Sequence, residues 1–489
     1  MNVTARPVRP SRLAHTVIDR DEDRSDQWVV PQAPGPSAGA STPASGATSR
    51  LPPYRNRRDD YVGRFSSGPE TVQQPERPRP PRTIAEAGVP GGLVEDMFMR
   101  WLLGAKRATT SELGAALALG PSIVQQVADD LRDKGYLEYL GLDGREYRFT
   151  LTEAGHAATL ERMKISLYAS YAPVSVAEYD RVVNQQRAVY EVDRARVSEL
   201  FSDLIVPPAL IDKIGFALLN DGAMFLYGPP GTGKTSIAER MRGVFGDPIL
   251  VPHCIEADGQ IVMVFDPVVH RPIEPQPAAL DPRWVLCERP LVIVGGELGL
   301  EMLDLSYESV AGVYTAPIQL LANNGILVID DFGRQAITPD EILNRWIVPL
   351  SRNVDYLKLN NGAKFTVPFA VKLVVSSNFE PSRLGDDAFL RRLRNKVFVG
   401  ACTPEAFDGI LVNAAESMGV ELTEATADHL RAVAISNIGE LRPYVAVDFC
   451  DLQRGIARYR GKPCRLDPGA VDEVAEIYFG DPDALSSSW

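Results

Sequence analysis

The densest run of chemistry-bearing residues in this 489-residue chain is Gly228, Pro229, Pro230, Gly231, Thr232, Gly233, Lys234 and Thr235, with Ser236 next. Glycines at these spacings let backbone N–H groups curl around phosphate oxygens without Cβ interference. Lys234 then faces the β and γ phosphates of a nucleoside triphosphate, and the Thr235 hydroxyl takes one position around Mg²⁺. Asp330 follows Lys234 by 96 residues, after the apolar run Ile326, Leu327, Val328 and Ile329. Its carboxylate would hold the Mg²⁺ shell, and Asp331 stands where a carboxylate polarises an attacking water. The expected chemistry is Mg²⁺-dependent transfer of a phosphoryl group from ATP to water.

These groups need a scaffold. The apolar run 223–227 predicts a strand leading into the glycine-rich loop, and 236–244 predicts a helix whose positive end points at the nucleotide. The run 325–329 predicts a neighbouring strand. A third, 373–377, ends in Asn378. Alternation around Asn361-Gly362 predicts a hairpin over 356–367, and 253–265 predicts another, followed by a Pro-rich loop at 272–282. His253, Cys254, His270 and Cys287 match no common zinc spacing and read as structural residues.

Charge and composition bound the rest. Lys and Arg number 51 against 64 Asp and Glu, a net charge of -13 that opposes nonspecific attraction to nucleic acid. No run approaches the ~18 apolar residues of a membrane span. The first thirty residues lack the apolar centre of a secretory signal, and the five scattered cysteines form no CxxC pair, so the expected location is the cytoplasm. Residues 1–88 hold 13 of the 38 prolines, 13 arginines and no lysine, which predicts a disordered tail. Residues 89–170 read as three helices, a hairpin and a helix, in which Thr110 caps the second helix and the third follows Pro121; 171–198 reads as a linker helix.

The order of elements in 89–170 resembles a winged-helix domain. A DNA-reading third helix would present Gln125, Gln126, Asp129, Asp130, Arg132, Asp133 and Lys134. Three aspartates there, with 9 Lys and Arg against 13 Asp and Glu over 89–180, favour protein docking over DNA binding.

From 199 to about 480, the P-loop, the acidic strand and the later segments resemble an AAA+ ATPase, in the right order. The resemblance implies an α/β P-loop parallel sheet over 199–401 and a C-terminal helical lid over 402–489. Asn378 looks like the sensor-1 residue that orients water. The stretch 386–392 looks like the arginine-finger segment, with Arg392 the first choice and Arg391 and Arg394 the alternates. An arginine fork suits charge on a transferring phosphoryl group. Arg442 resembles the sensor-2 arginine that reaches the γ-phosphate. The hairpin before Asn378 resembles the pre-sensor-1 hairpin superclade, and 312–327 parallels MoxR-type ATPases. The family departs at Asp331, where Glu is usual, and at the long stretch between Lys234 and Asp330.

The resemblance therefore implies ATP and Mg²⁺ as cofactors, a homo-oligomeric ring of six subunits, and remodelling of a protein client, without membrane insertion. The rival expectations are a DNA-associated ATPase using the winged helix, and a slow nucleotide-controlled switch.

Overall fold

Short apolar runs flanked by glycines and charged turns build the central layer. The computed structural model describes residues 77–480 apart from 145, 188–193, 221, 246, 385–390 and 392. Residues 1–76 of the expected tail, and Arg392, thus lie outside the described residues.

The central sheet is parallel and five-stranded, in the order Leu291–Val294, Ile326–Ile329, Lys372–Ser377, Met224–Tyr227 and Asn395–Phe398. The three middle strands carry no polar side chain at most positions because helices cover both faces, as parallel sheets require. One face packs on Trp346, Ile342 and Leu343 of the helix Pro339–Arg352. The other packs on Ile214 and Leu218 of the helix Pro208–Leu219 and on Ile237 and Met241. Lys372 opens its strand buried, donating to the carbonyls of Ala217 and Asn220 at 2.8 Å and of Gly222 at 3.1 Å. A cation there meets the negative end of the Pro208–Leu219 helix and ties it to the sheet.

The order has a direct consequence for chemistry. The strand ending before Asn378 lies between the strand that feeds the P-loop and the strand that feeds Asp330, in register Val374 with Met224 and Val374 with Val328. All three loops leave the same carboxyl edge of the sheet, where open α/β sheets bind ligands.

The stretch between the P-loop helix and the acidic strand forms its own layer. Cys254–Ala257 and Gln260–Met263 pair as the expected hairpin and extend into a five-stranded sheet with Ser306–Glu308, Val313–Thr315 and Val174–Ser175. The hairpin Val354–Lys358 with Lys364–Pro368 packs Leu357 and Val367 against this layer.

Residues 91–163 give the helices Gly91–Ala105, Thr110–Leu117 and Pro121–Asp133, the hairpin Leu137–Asp143 with Glu146–Leu151, and the helix Glu153–Met163. Three details differ from expectation. The cap of the second helix is Thr109, one residue earlier, in a reciprocal box with Glu112 that satisfies two orphan N–H groups. The stretch 171–198 is no simple linker: Val174 and Ser175 pair with Ile255 and Glu256, and Tyr179, Val182 and Val183 of Val176–Gln185 are buried in the second layer. Residues 77–88 belong to the fold, since the Asp281 N–H donates to the Pro78 carbonyl and Ala87 is buried. The N-terminal helices share one core with Cys254, Ile261 and Val313, so the inserted layer is the platform they stand on. Arg283 fastens the joint from within, binding Asp281, Glu178 and the carbonyls of Ala87 and Pro173.

The C-terminal block has a separate core of Phe407, Leu411, Leu430, Val445, Phe449 and Val471, on the helices Pro404–Met418, Thr426–Ile438, Pro443–Arg460 and Pro468–Phe479. The fourth helix goes beyond the three legible in the sequence. Among the described residues no helix is long and apolar enough to cross a membrane.

Candidate functional site

The P-loop turns on glycines with left-handed φ: Gly231 at 75° and Gly233 at 89°. Gly228 is also required for space, because a Cβ there would lie 2.1 Å from the Val399 carbonyl oxygen. Gly233 caps the helix Lys234–Arg240, so its first N–H groups open toward the carboxyl edge of the sheet.

Lys234 is only 6% exposed. Its ammonium is not a free surface charge: it donates to the Gly228 carbonyl at 3.1 Å, the Pro229 carbonyl at 2.8 Å and Asn378 Oδ1 at 2.9 Å. Burial pushes its pKa below the usual lysine value, Asp330 and Asp331 oppose that, and the Arg442 charge adds to it. The negative charge of phosphates would relieve both the burial cost and the Arg442 repulsion.

Thr235 and Asp330 meet directly, with Oγ1 donating to Asp330 Oδ2 at 2.6 Å. Two oxygen ligands from loops on different strands are the donor set and spacing that suit Mg²⁺ shared with substrate phosphates. These residues fit that ion.

Asp331 adopts a left-handed φ of 49° at the strand end and is exposed. Asn378 Nδ2 donates to Asp331 Oδ1 at 2.8 Å while its Oδ1 accepts from Lys234, so one amide spans the Lys234 ammonium and the Asp331 carboxylate. Such a backbone conformation persists only where its surroundings hold it. The Phe332 N–H donates to the Ser376 carbonyl at 2.7 Å, Ser377 Oγ donates to the Phe332 carbonyl at 2.7 Å, and Gln335 Nε2 donates to the carbonyls of Asp330 at 2.9 Å and Asp331 at 3.2 Å. Ser377 and Gln335 carry no sequence signal of their own; both act through backbone.

From the C-terminal block, Arg442 precedes the helix Pro443–Arg460, and its Nε donates to Glu440 at 2.8 Å. Two residues on, the Tyr444 ring lies on the P-loop: a Cβ at Gly231 would be 1.9 Å from Tyr444 Cδ1. The sequence reading missed Tyr444, whose only signal is its distance of two residues from Arg442. Arg391 and Arg394 are exposed, and the structure brings neither into the cluster of Lys234, Asp330, Asp331 and Asn378. His270 bonds the Asp266 N–H and the Leu321 carbonyl, His253 stacks on Tyr171 with centroids 3.8 Å apart, and Cys254 contacts the Tyr168 hydroxyl.

Comparison with known proteins gives limited likeness. A family profile described as a domain of unknown function (DUF8689) matches residues 403–477, the four helices of the C-terminal block. No curated protein matches. Among solved structures, the chain is similar to RuvB of Thermotoga maritima, titled a Holliday junction branch migration motor, at 16% identity and a TM-score of 0.31, covering 60% of this chain and 72% of that one. A point mutant of the same protein gives 15% identity and a TM-score of 0.33, covering 59% and 72%.

Proposed function

We propose that the chain is a Mg²⁺-dependent AAA+ ATPase that works as a homo-oligomeric ring, with six subunits expected, and remodels a protein partner. The observation that carries the ATPase reading is the convergence of Lys234, the Thr235 and Asp330 pair, and the Asn378 and Asp331 pair on one carboxyl edge of a parallel sheet.

Lys234 exchanges its carbonyl partners for the β and γ phosphates. Thr235 and Asp330 would hold magnesium, which when bound would neutralise charge on those phosphates. Asp331 orients water and accepts its proton, with Asn378 fixing the carboxylate. Arg442 and Tyr444 bring the C-terminal block, acting as a helical lid, against the bound nucleotide. Arg392, or Arg391 or Arg394, reaches the site of the neighbouring subunit.

A winged-helix-like docking role for 89–170 is supported by its third helix. Gln125 and Asp129 are engaged with the Tyr139 hydroxyl at 2.9 and 2.8 Å, and Arg132 lies over the Tyr139 ring. Polar groups committed to their own hairpin are not poised to read base edges. The MoxR-like placement rests on sequence resemblance.

The decisive assay is phosphate release from MgATP. Asp331→Asn is expected to slow turnover at least ~100-fold with ATP binding retained; unchanged turnover would remove Asp331 from the mechanism. The length of Asp331 and its bond to Asn378 favour one second reading, a slow switch. In that case Asp331→Glu, which restores reach, would raise the rate.

A further inference from the structure

The strands that present the P-loop and Asp330 have a second set of charges at their opposite, amino edge. A cleft of about 520 Å³ opens there, lined by Arg242, Phe245, Asp247, Arg271, Glu288 and Arg289. That volume lies in the range that small-ligand sites occupy.

The arginines are built in to different degrees. Arg289 is 3% exposed and fixed: it pairs with Asp247, donates to the Asn324 carbonyl at 2.7 Å and the Gln186 carbonyl at 2.9 Å, and lies over the Phe245 ring. Arg242 pairs with Glu288 at 3.0 Å. Arg271 is exposed and has no acidic partner among the described residues. Three guanidinium groups among the lining residues thus face two carboxylates, on a chain whose net charge is -13. A local excess of arginine forks beside an aromatic ring and the apolar Ile273 and Pro248 matches a ligand with a phosphate at one end and a flat apolar body at the other.

The cleft is also joined to the nucleotide site through backbone. Arg242 follows Lys234 by eight residues, beyond the P-loop helix. Arg289 holds the Asn324 carbonyl, two residues before the strand Ile326–Ile329 that leads to Asp330. Four residues at about 3.3 Å each separate the two edges by roughly 13 Å.

We propose that this cleft is a second, effector site that binds a phosphate-bearing small molecule through Arg271 and Arg242, apart from the P-loop. Nothing in this assignment depends on the P-loop hydrolysing ATP.

The test uses the full chain carrying Lys234→Ala, which disables the P-loop, titrated calorimetrically with inorganic phosphate and, separately, with AMP. Saturable binding of either is expected, weakened at least tenfold by adding Arg271→Glu and restored by Arg271→Lys. AMP binding tighter than phosphate assigns the flat body to Phe245; equal binding assigns the site to phosphate alone; either supports the proposal. No saturation by about 10 mM, a weak limit at about 3 kcal/mol of binding energy, overturns it. So does binding that Arg271→Glu leaves unchanged, which marks an adventitious anion. Thermal melting of each variant checks that loss of binding is not loss of fold, and Arg271, being exposed, carries no core packing.

Discussion

Gly231→Ala tests the contact between the C-terminal block and the P-loop. Two costs arise at one atom. Gly231 has φ of 75°, where an L-residue pays about 1–2 kcal/mol. The added Cβ would also stand 1.9 Å from Tyr444 Cδ1 and 2.4 Å from Cε1, an overlap that must move the ring or the loop. Overpacking of that kind costs about 1–3 kcal/mol. Tyr444 is flanked by the Tyr478 ring, with centroids 6.4 Å apart, and Tyr478 is itself held by its hydroxyl, which donates to Asp448 at 2.7 Å. The expected total is about 2–5 kcal/mol, divided between loop strain and block displacement. Tyr444→Ala removes the second cost and leaves the first. Denaturation and ATP titration of both single variants and the double variant should therefore show a coupling of about 1–3 kcal/mol, with Gly231→Ala milder in the Tyr444→Ala background. Strictly additive effects would refute the reasoning, since they would mean that the ring does not rest on Gly231 in solution.

Arg392→Ala subunits should bind ATP and hydrolyse it poorly, because a supplied arginine contributes ~10³ or more. Mixing them with Asp331→Asn subunits should recover activity at interfaces that join two intact residues, and no recovery in verified mixed rings would move the role to Arg391, Arg394 or Arg442. Stability should fall in acid through His253, whose pKa burial lowers from 6.5 to about 4. The unfolded chain binds the proton that the folded chain refuses, so this contribution is full above pH 6.5 and is lost as pH falls toward 4. His253→Phe, keeping the ring against Tyr171, should flatten that part of a melting-versus-pH profile; an unchanged slope would contradict it. Lys372→Met should lower the melting temperature, since three buried or part-buried carbonyls lose a charged donor.

The P-loop was legible because its chemistry is local: left-handed glycines, a lysine and a hydroxyl in consecutive positions leave few alternatives. Asp330, Asp331 and Asn378 were legible as ends of apolar runs, but their meeting was not, since strand order decides it and strand order leaves no mark in any single run. The hydrogen bonds of Asn378 to both Lys234 and Asp331 follow from its strand lying between the other two. The inserted layer was harder. Its hairpin at Cys254–Met263 lies within the one expected over 253–265, but its purpose lies in partners such as Phe98 and Leu113, more than a hundred residues earlier. Thr109 rather than Thr110 caps its helix because Glu112 stands three residues on, a reciprocal spacing that one candidate cap alone does not reveal. Tyr444 went unread because an aromatic on a helix looks like core, and only the block's docking turns it onto Gly231.

The central claim is that Lys234 and its neighbours bind the phosphates of ATP with magnesium. Equilibrium titration of the full chain with MgATP, beside Lys234→Ala, tests it most directly. The account predicts saturable binding by the unaltered chain, weakened at least tenfold by EDTA, and lost in Lys234→Ala while the variant still melts cooperatively. Equal affinity in the two proteins, with a cooperative melt in both, would contradict it.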